Sequence, residues 1–270
     1  MKSMTNLMIF LLIGAIECFA QIGPGAKQIA LAHSDISYSS DAFSIFNNSA
    51  LLAINTNREF GIFYSPSPFG EKAMSNAFAS YIEPTSFGNF SAGFSIYGFE
   101  LYKETQFAFG YGKKLNNNFS FGGTLFYKNI NIKNYGSKGN VFLNVGGIAK
   151  LNEQIGFGFA IENITRSTIS KDDDQIPTVF WGGVHFHPVK DFVFSSSLRK
   201  ELGYNVSLRF GAEYSIVEFL RLRFGVQNEP SLYNGGFGIV YDFLQVDYAI
   251  SSHNDLGLTH QFGLLIRLPK

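Results

Sequence analysis

The sequence has 270 residues, and its 21 Lys and Arg are balanced by 21 Asp and Glu, so the formal net charge is zero. That balance, with charged residues at only 16%, excludes the basic stripe that a nucleic-acid-binding chain carries. Aromatic residues also reach 16%, with 30 Phe, 13 Tyr and a single Trp beside 28 Gly, which suits closely approaching strands and aromatic girdles but is shared by some soluble all-β proteins.

The N-terminus reads as an export signal. Met1-Lys2-Ser3 precedes an apolar run over residues 7–16, and Cys18-Phe19-Ala20-Gln21 supplies the positions a signal peptidase reads, so residues 1–20 are expected to be removed. The run is too short for a permanent membrane helix, and no later segment approaches the roughly 20 apolar residues such a helix needs. Glu17 stands where lipoprotein processing wants a small residue, so Cys18 is not read as a lipid anchor. Without Cys18 the mature chain has no disulfide, thiol nucleophile or thiolate metal site.

Residues 21–57 are rich in Ser, Asn and Asp and read as a compact plug segment with short helical turns, Ser40-Asp41 and Asn47-Asn48 acting as caps or turns. Its apolar side chains need burial, and the mouth of a barrel offers it. Asp35, Asp41, Phe43, Phe46, Asn47 and Asn48 are the candidate functional positions of this segment.

From residue 58 to the end the chain reads as one barrel of about fourteen strands, 58–67, 77–84, 89–98, 105–114, 119–133, 140–151, 155–165, 178–187, 192–200, 204–215, 219–228, 235–242, 244–251 and 257–268. No helical stretch interrupts them, which implies an antiparallel meander. The connections alternate between tight turns, such as 115–118 and 152–154, and longer polar loops, such as 68–76, 99–104, 166–177 and 229–234. Short turns at one end and longer loops at the other are the pattern of an antiparallel transmembrane β-barrel in an outer membrane, with an even strand number and both termini periplasmic.

Period-two alternation separates the faces. Leu258, His260, Phe262, Leu264 and Ile266 oppose Thr259, Gln261, Gly263, Leu265 and Arg267; Val206, Leu208, Phe210 and Tyr214 oppose Ser207, Arg209, Gly211 and Glu213. Lipid on the oily side puts Arg209, Glu213, Arg221, Arg223, Asp247 and Arg267 in the lumen as a mixed-charge network that cross-links a filled interior. The glycine pairs at 122–123, 146–147, 182–183 and 235–236 fall within or at the start of strands, where small side chains permit curvature or close packing.

Catalytic or metal chemistry finds little support. His185 and His187 share a strand face, but two imidazoles without further ligands make no zinc site, and beside Pro188 they are read at the polar boundary. Asp172-Asp173-Asp174 lacks the spaced ligands and turn glycine of a calcium loop. No phosphate-cradling glycine loop precedes a helix and no serine sits in a nucleophile elbow, so neither an enzyme nor a cofactor is expected.

The C-terminal hairpin carries a resemblance. Asp247-Tyr248-Ala249, Asp255-Leu256-Gly257, Thr259-His260 and a closing strand ending Ile266-Arg267-Leu268 look like the last hairpin of the PorV/PorQ family, outer-membrane barrels related to the FadL-like fatty-acid transporters. Residues 30–36, Asp41-Ala42 and Asn47-Asn48-Ser49-Ala50 resemble that family's N-terminal segment in outline, although proline and glycine are replaced by Ser49 and Leu51. The resemblance implies a fourteen-stranded barrel with an N-terminal plug and, for some members, a role in type IX secretion. Two functions are therefore expected: an assembly component that binds secretion-system proteins or exported cargo, or a FadL-like transporter of a hydrophobic small molecule. For the latter, Ser65-Pro66-Ser67-Pro68 is a candidate bend beside a lateral opening. Outer-membrane lipid is the expected surrounding in both.

Overall fold

The computed structural model describes residues 23–168 and 176–268. Fourteen strands form one closed antiparallel barrel: β1 (Arg58–Ser65), β2 (Asn76–Thr85), β3 (Gly88–Gly98), β4 (Tyr102–Lys114), β5 (Phe119–Ile132), β6 (Gly136–Lys150), β7 (Ile155–Glu162), β8 (Val179–Val189), β9 (Phe192–Glu201), β10 (Val206–Val217), β11 (Leu220–Asn228), β12 (Ser231–Tyr241), β13 (Leu244–His253) and β14 (Gly257–Leu268). Each pairs with its sequence neighbours, and β1 meets β14 in a register running from Arg58 opposite Leu268 to Tyr64 opposite Phe262. Closure gives every strand a partner on each side, as a wall in hydrocarbon requires; residues 136–144 of β6 pair with β5 alone, and Ile164 and Ser167 of the following connection bond the Leu143 and Val141 carbonyls on their other edge.

The alternation that defines the strands also defines the two faces. Ile62, Phe94, Phe107, Leu125, Phe210 and Phe262 project outward and are exposed, whereas Phe63, Thr124, Gly211 and Gln261 on the same strands turn inward and are buried. An outer wall of large exposed apolar side chains is stable against lipid rather than water.

The chain enters at Arg58 and leaves at Leu268 on the same rim, here called the terminal rim; the opposite one is the distal rim. Most expected distal loops are shorter than their composition implies. Gly98 pairs with Lys103, Ile132 with Gly136 and Asn228 with Ser231, so only 99–101, 133–135 and 229–230 are left as connections there. Polar composition marks where a wall leaves hydrocarbon, not where backbone pairing stops. Residues 66–75 and 163–178 remain long, and the Ser65-Pro66-Ser67-Pro68 bend falls just past the end of β1, outside the paired wall. The expected signal segment and Asp172-Asp173-Asp174 lie outside the described residues.

Residues 23–57 pack within the barrel as a helix (Ala26–Ala30), a helical turn (Ser44–Asn47) and a 3-10 helix (Ser49–Ile54). Local side chains set these turns: Asp41 Oδ1 accepts from Phe43 N at 2.9 Å, and Asn48 Oδ1 caps the 3-10 helix by accepting from Ala50 N at 3.1 Å. Ile29, Leu31, Phe43, Ile45, Leu51 and Leu52 are all buried, mostly against the inward face of the wall.

Candidate functional site

Register across β4, β5 and β6 stacks the inward-facing residues into rows. From the distal toward the terminal rim these are Gln106, Lys128 and Asn140; Ala108, Phe126 and Phe142; Gly110, Thr124 and Asn144; Gly112, Gly122 and Gly146; and Lys114, Ser120 and Ile148. The second row is apolar. Phe126 and Phe142 stack at 4.9 Å with 12° between their planes, and Phe46 packs on Phe126 at 6.2 Å and on Phe78 at 5.2 Å. Phe63 joins through Phe78 at 5.9 Å and Phe43 at 6.4 Å, so two residues of the N-terminal segment and four of the wall make one aromatic cluster inside the barrel. At its distal side Lys128 pairs with Glu104 at 2.7 Å.

The glycine row receives the 3-10 helix. A Cβ at Gly112 would meet the Ser49 carbonyl oxygen at 2.7 Å and Ala53 N at 2.8 Å, one at Gly122 would run into the Ser49 carbonyl, and one at Gly146 into the Asn48 amide. Only residues without a side chain let the helix sit this close to the wall.

The opposite part of the lumen is charged. Arg223 on β11 binds Glu213 on β10 at 2.5 Å and Asp247 on β13 at 2.6 Å. Gln245 donates to Asp247 at 2.7 Å and accepts from Arg267 at 2.6 Å, Arg267 pairs with Glu59 at 3.0 Å, and Glu59 accepts the backbone N–H of Ala42 at 2.6 Å. Hydrogen bonds thus run continuously from β10 round to β1 and end on the N-terminal segment. The lumen thus holds an aromatic cluster and a charged arc, which meet on β1 at Phe63 and Glu59.

The chain is similar in fold to the CymD monoaromatic hydrocarbon channel, with a TM-score of 0.74 at 10% identity over 92% of this chain and 98% of that one. It is similar also to the Pseudomonas putida toluene transporter TodX (TM-score 0.66, 11% identity, 92% of this chain and 98% of that one). A Pseudomonas aeruginosa FadL homologue matches with a TM-score of 0.64 at 12% identity, over 92% of this chain and 97% of the other. At these identities the likeness is one of fold. No family model and no curated protein matches the sequence.

Among the six charged residues singled out from sequence, the structure brings Glu213, Arg223, Asp247 and Arg267 into the arc, and places two elsewhere. Arg209 donates to the Ala32 carbonyl at 3.2 Å and lies over the Trp181 ring at 4.9 Å. Arg221 faces the lumen without an ion pair among the described residues. In the N-terminal segment Asp41 also accepts from Gln28 at 2.6 Å, and Asn48 donates to the Ile36 carbonyl at 2.9 Å. Asn47 lines, with Asp35, His33 and Trp181, a cavity of about 10 Å³, room for about one water at most. Burial pushes the Asp35 carboxyl up to about 6, against the opposing pull of Lys27, and its Oδ2 has no partner among the described residues. Burial pushes His33 the other way, down to about 3, and Arg209 adds to that.

His185 departs from its expected place at a polar boundary. It is buried, bonds Ser37 Oγ at 3.0 Å, and shares a ring cluster with His187 and Tyr38 at centroid distances of 5.2–5.7 Å. Pro188 marks the nearby rim, but His185 is inward-facing by parity and meets the N-terminal segment. Sequence reading missed Glu59, Glu162 and Trp181, all inward by the same parity. Trp181 donates to Glu162 at 2.6 Å, and Arg199 and Arg209 lie over its ring at 5.8 and 4.9 Å. Their period-two position was the available signal.

Proposed function

We propose that the protein passes a small apolar molecule across an outer membrane, with the terminal rim at the periplasm and residues 23–57 as the plug. The observation that carries this is the aromatic cluster of Phe43, Phe46, Phe63, Phe78, Phe126 and Phe142 on the lumen side of the wall. A barrel that conducts water and ions keeps its interior polar; a buried aromatic cluster there offers an apolar solute a place to leave water. The charged arc cross-links the other half of the lumen and holds the plug. Similarity in fold to channels and transporters of hydrocarbons supports the same reading. The alternative, a PorV/PorQ-type component of type IX secretion that binds exported cargo, rests on the resemblance of the C-terminal hairpin and, in outline, of the N-terminal segment.

Uptake of radiolabelled toluene by cells whose outer membrane contains the protein tests the proposal. Faster entry than in cells with an empty vector, slowed when Phe126 and Phe142 are replaced by Asn, is expected. Equal entry with and without the protein overturns the reading for this solute class.

A further inference from the structure

We infer that the row Gly112, Gly122 and Gly146 is the throat of the ligand's route, and that the 3-10 helix Ser49–Ile54 is a stopper that leaves it while the rest of the plug stays anchored. The inference rests on the transport reading and adds which part of the plug moves and along which wall.

Position comes first. On the distal side of the helix lies the apolar row of Phe126 and Phe142; on the terminal side lies the row of Lys114, Ser120 and Ile148, where a pocket lined by Ile54, Lys114, Ser120, Ile148 and Lys150 is found. The helix divides its side chains accordingly. Leu52 joins the aromatic cluster, whereas Ala50, Leu51 and Ile54 pack with Ile148. Along β4–β6, the helix is what separates the aromatic cluster from the pocket.

The wall at this level has nothing to put in its place. Gly112, Gly122 and Gly146 stand in register on three adjacent strands, so departure of the helix exposes bare backbone whose polar groups are already paired in the sheet. A passing apolar molecule meets no side chain that must rotate away and no polar group that it must satisfy.

Attachment differs between the two halves of the plug. The helix and its flanks are held by neutral groups: Ser49 Oγ to Thr124 Oγ1 at 2.5 Å, Thr124 to the Ile45 carbonyl at 3.0 Å, and Asn89 Nδ2 to the carbonyls of Leu52 and Asn55, both at 2.6 Å. The rest is held by both kinds: Arg209 donates to the Ala32 carbonyl and Glu59, paired with Arg267, accepts from the Ala42 N–H, beside the neutral contacts of Ser34 with Ser195, Ser37 with His185 and Ser197 with the His33 carbonyl. Charge-assisted hydrogen bonds are roughly twice as strong as neutral ones, and 3-10 geometry is the weaker helical form. The end that lets go first is the helix on the glycine row.

Two engineered disulfides separate this from motion of the whole plug. Ser49→Cys with Thr124→Cys ties the helix to β5, and Ser34→Cys with Ser195→Cys, whose hydroxyl oxygens lie 2.6 Å apart, ties the anchored half to β9. Entry of the fluorescent probe N-phenyl-1-naphthylamine into intact cells is followed for each pair, oxidised and reduced, with disulfide formation checked by thiol alkylation. Expected is loss of probe entry to the empty-vector rate for the oxidised 49/124 pair, recovery on reduction, and wild-type entry for the oxidised 34/195 pair. Wild-type entry through the oxidised 49/124 barrel, or equal block by the 34/195 bridge, overturns the inference while leaving transport intact. A wild-type protein that admits no more probe than the empty vector overturns the transport reading, and this inference with it.

Discussion

Arg223 reaches Asp247 at 2.6 Å although strand β12 runs between their two strands. The crossing is possible because Gly238 stands in register opposite Asp247 and has no side chain; a Cβ there would run into Asp247 Oδ1 and come within 2.8 Å of both terminal nitrogens of Arg223. The guanidinium is fully buried and also serves Glu213, so one missing side chain on β12 lets a single cation hold two carboxylates on flanking strands.

Removing one partner of such a group leaves a buried charge uncompensated, at a cost of roughly 3–5 kcal/mol. Asp247→Ala is expected to lower the unfolding free energy of the detergent-solubilised barrel, measured in urea, by an amount of that order, and Gly238→Ala to lower it in the same direction by displacing the guanidinium. Because both act on one contact, the double variant is expected to be no less stable than Asp247→Ala alone. Additive losses in the cycle count against the crossing.

Gly122 and Gly123 are adjacent but not equivalent. Gly122 faces the 3-10 helix, where a Cβ would meet Ala50 N at 2.7 Å, whereas at Gly123 the nearest atom is the Asn144 carbonyl oxygen at 3.5 Å. Gly122→Ala is expected to loosen residues 49–54 and open them to protease in the folded barrel; Gly123→Ala is expected to leave both cleavage and stability unchanged. Equal behaviour of the two variants removes the glycine row from the account.

This pair shows how much of the molecule is legible in its sequence. Strand number, strand faces and the inward direction of Arg223, Asp247 and Gly122 follow from period two alone, because a pleated wall with lipid on one side fixes parity. What parity does not supply is which inward residues meet. The Arg223–Asp247 contact skips a strand, the Arg267–Glu59 contact closes the ring between strands at opposite ends of the barrel sequence, and Arg209 over Trp181 depends on the depth of each residue along the barrel. The glycine pairs read as sites of curvature or close packing, and one member of each, Gly122, Gly146, Gly183 and Gly236, packs closely on the N-terminal segment, whose path through the lumen is written in no local pattern. Composition overstates the distal loops because polar residues at that rim continue the ladder beyond the apolar wall.

Phe142 stacks on Phe126 in a buried cluster, so Phe142→Ala is expected to destabilise the barrel by about 3–5 kcal/mol through lost burial and the cavity left behind. An apolar cavity of this kind takes up benzene-sized molecules. Added benzene is therefore expected to raise the unfolding midpoint of Phe142→Ala more than that of the wild type, in proportion to the logarithm of its concentration above the dissociation constant. A variant whose midpoint does not respond to benzene shows that the cluster closes over the gap instead of holding an apolar solute.

Asp35 gives the N-terminal segment a dependence on pH whose sign is fixed. Its buried carboxyl is raised to about 6, so between about pH 4 and pH 6 the folded protein binds a proton that the unfolded chain does not. The contribution of this group to stability is therefore greatest at the acid end and is lost as pH rises through 6, costing the neutral-pH protein about 3 kcal/mol. Asp35→Asn removes the charge and keeps the shape. It is expected to be the more stable of the two proteins at pH 7.5, by up to that amount, with the advantage shrinking to nothing near pH 4. Urea midpoints of the wild type and the variant measured at both pH values decide this, because titration of every group that does not interact with Asp35 is common to the pair and cancels in their difference. An advantage that is constant with pH, or one that grows toward acid, would show that Asp35 is solvated or paired in the folded barrel and does not carry a buried charge.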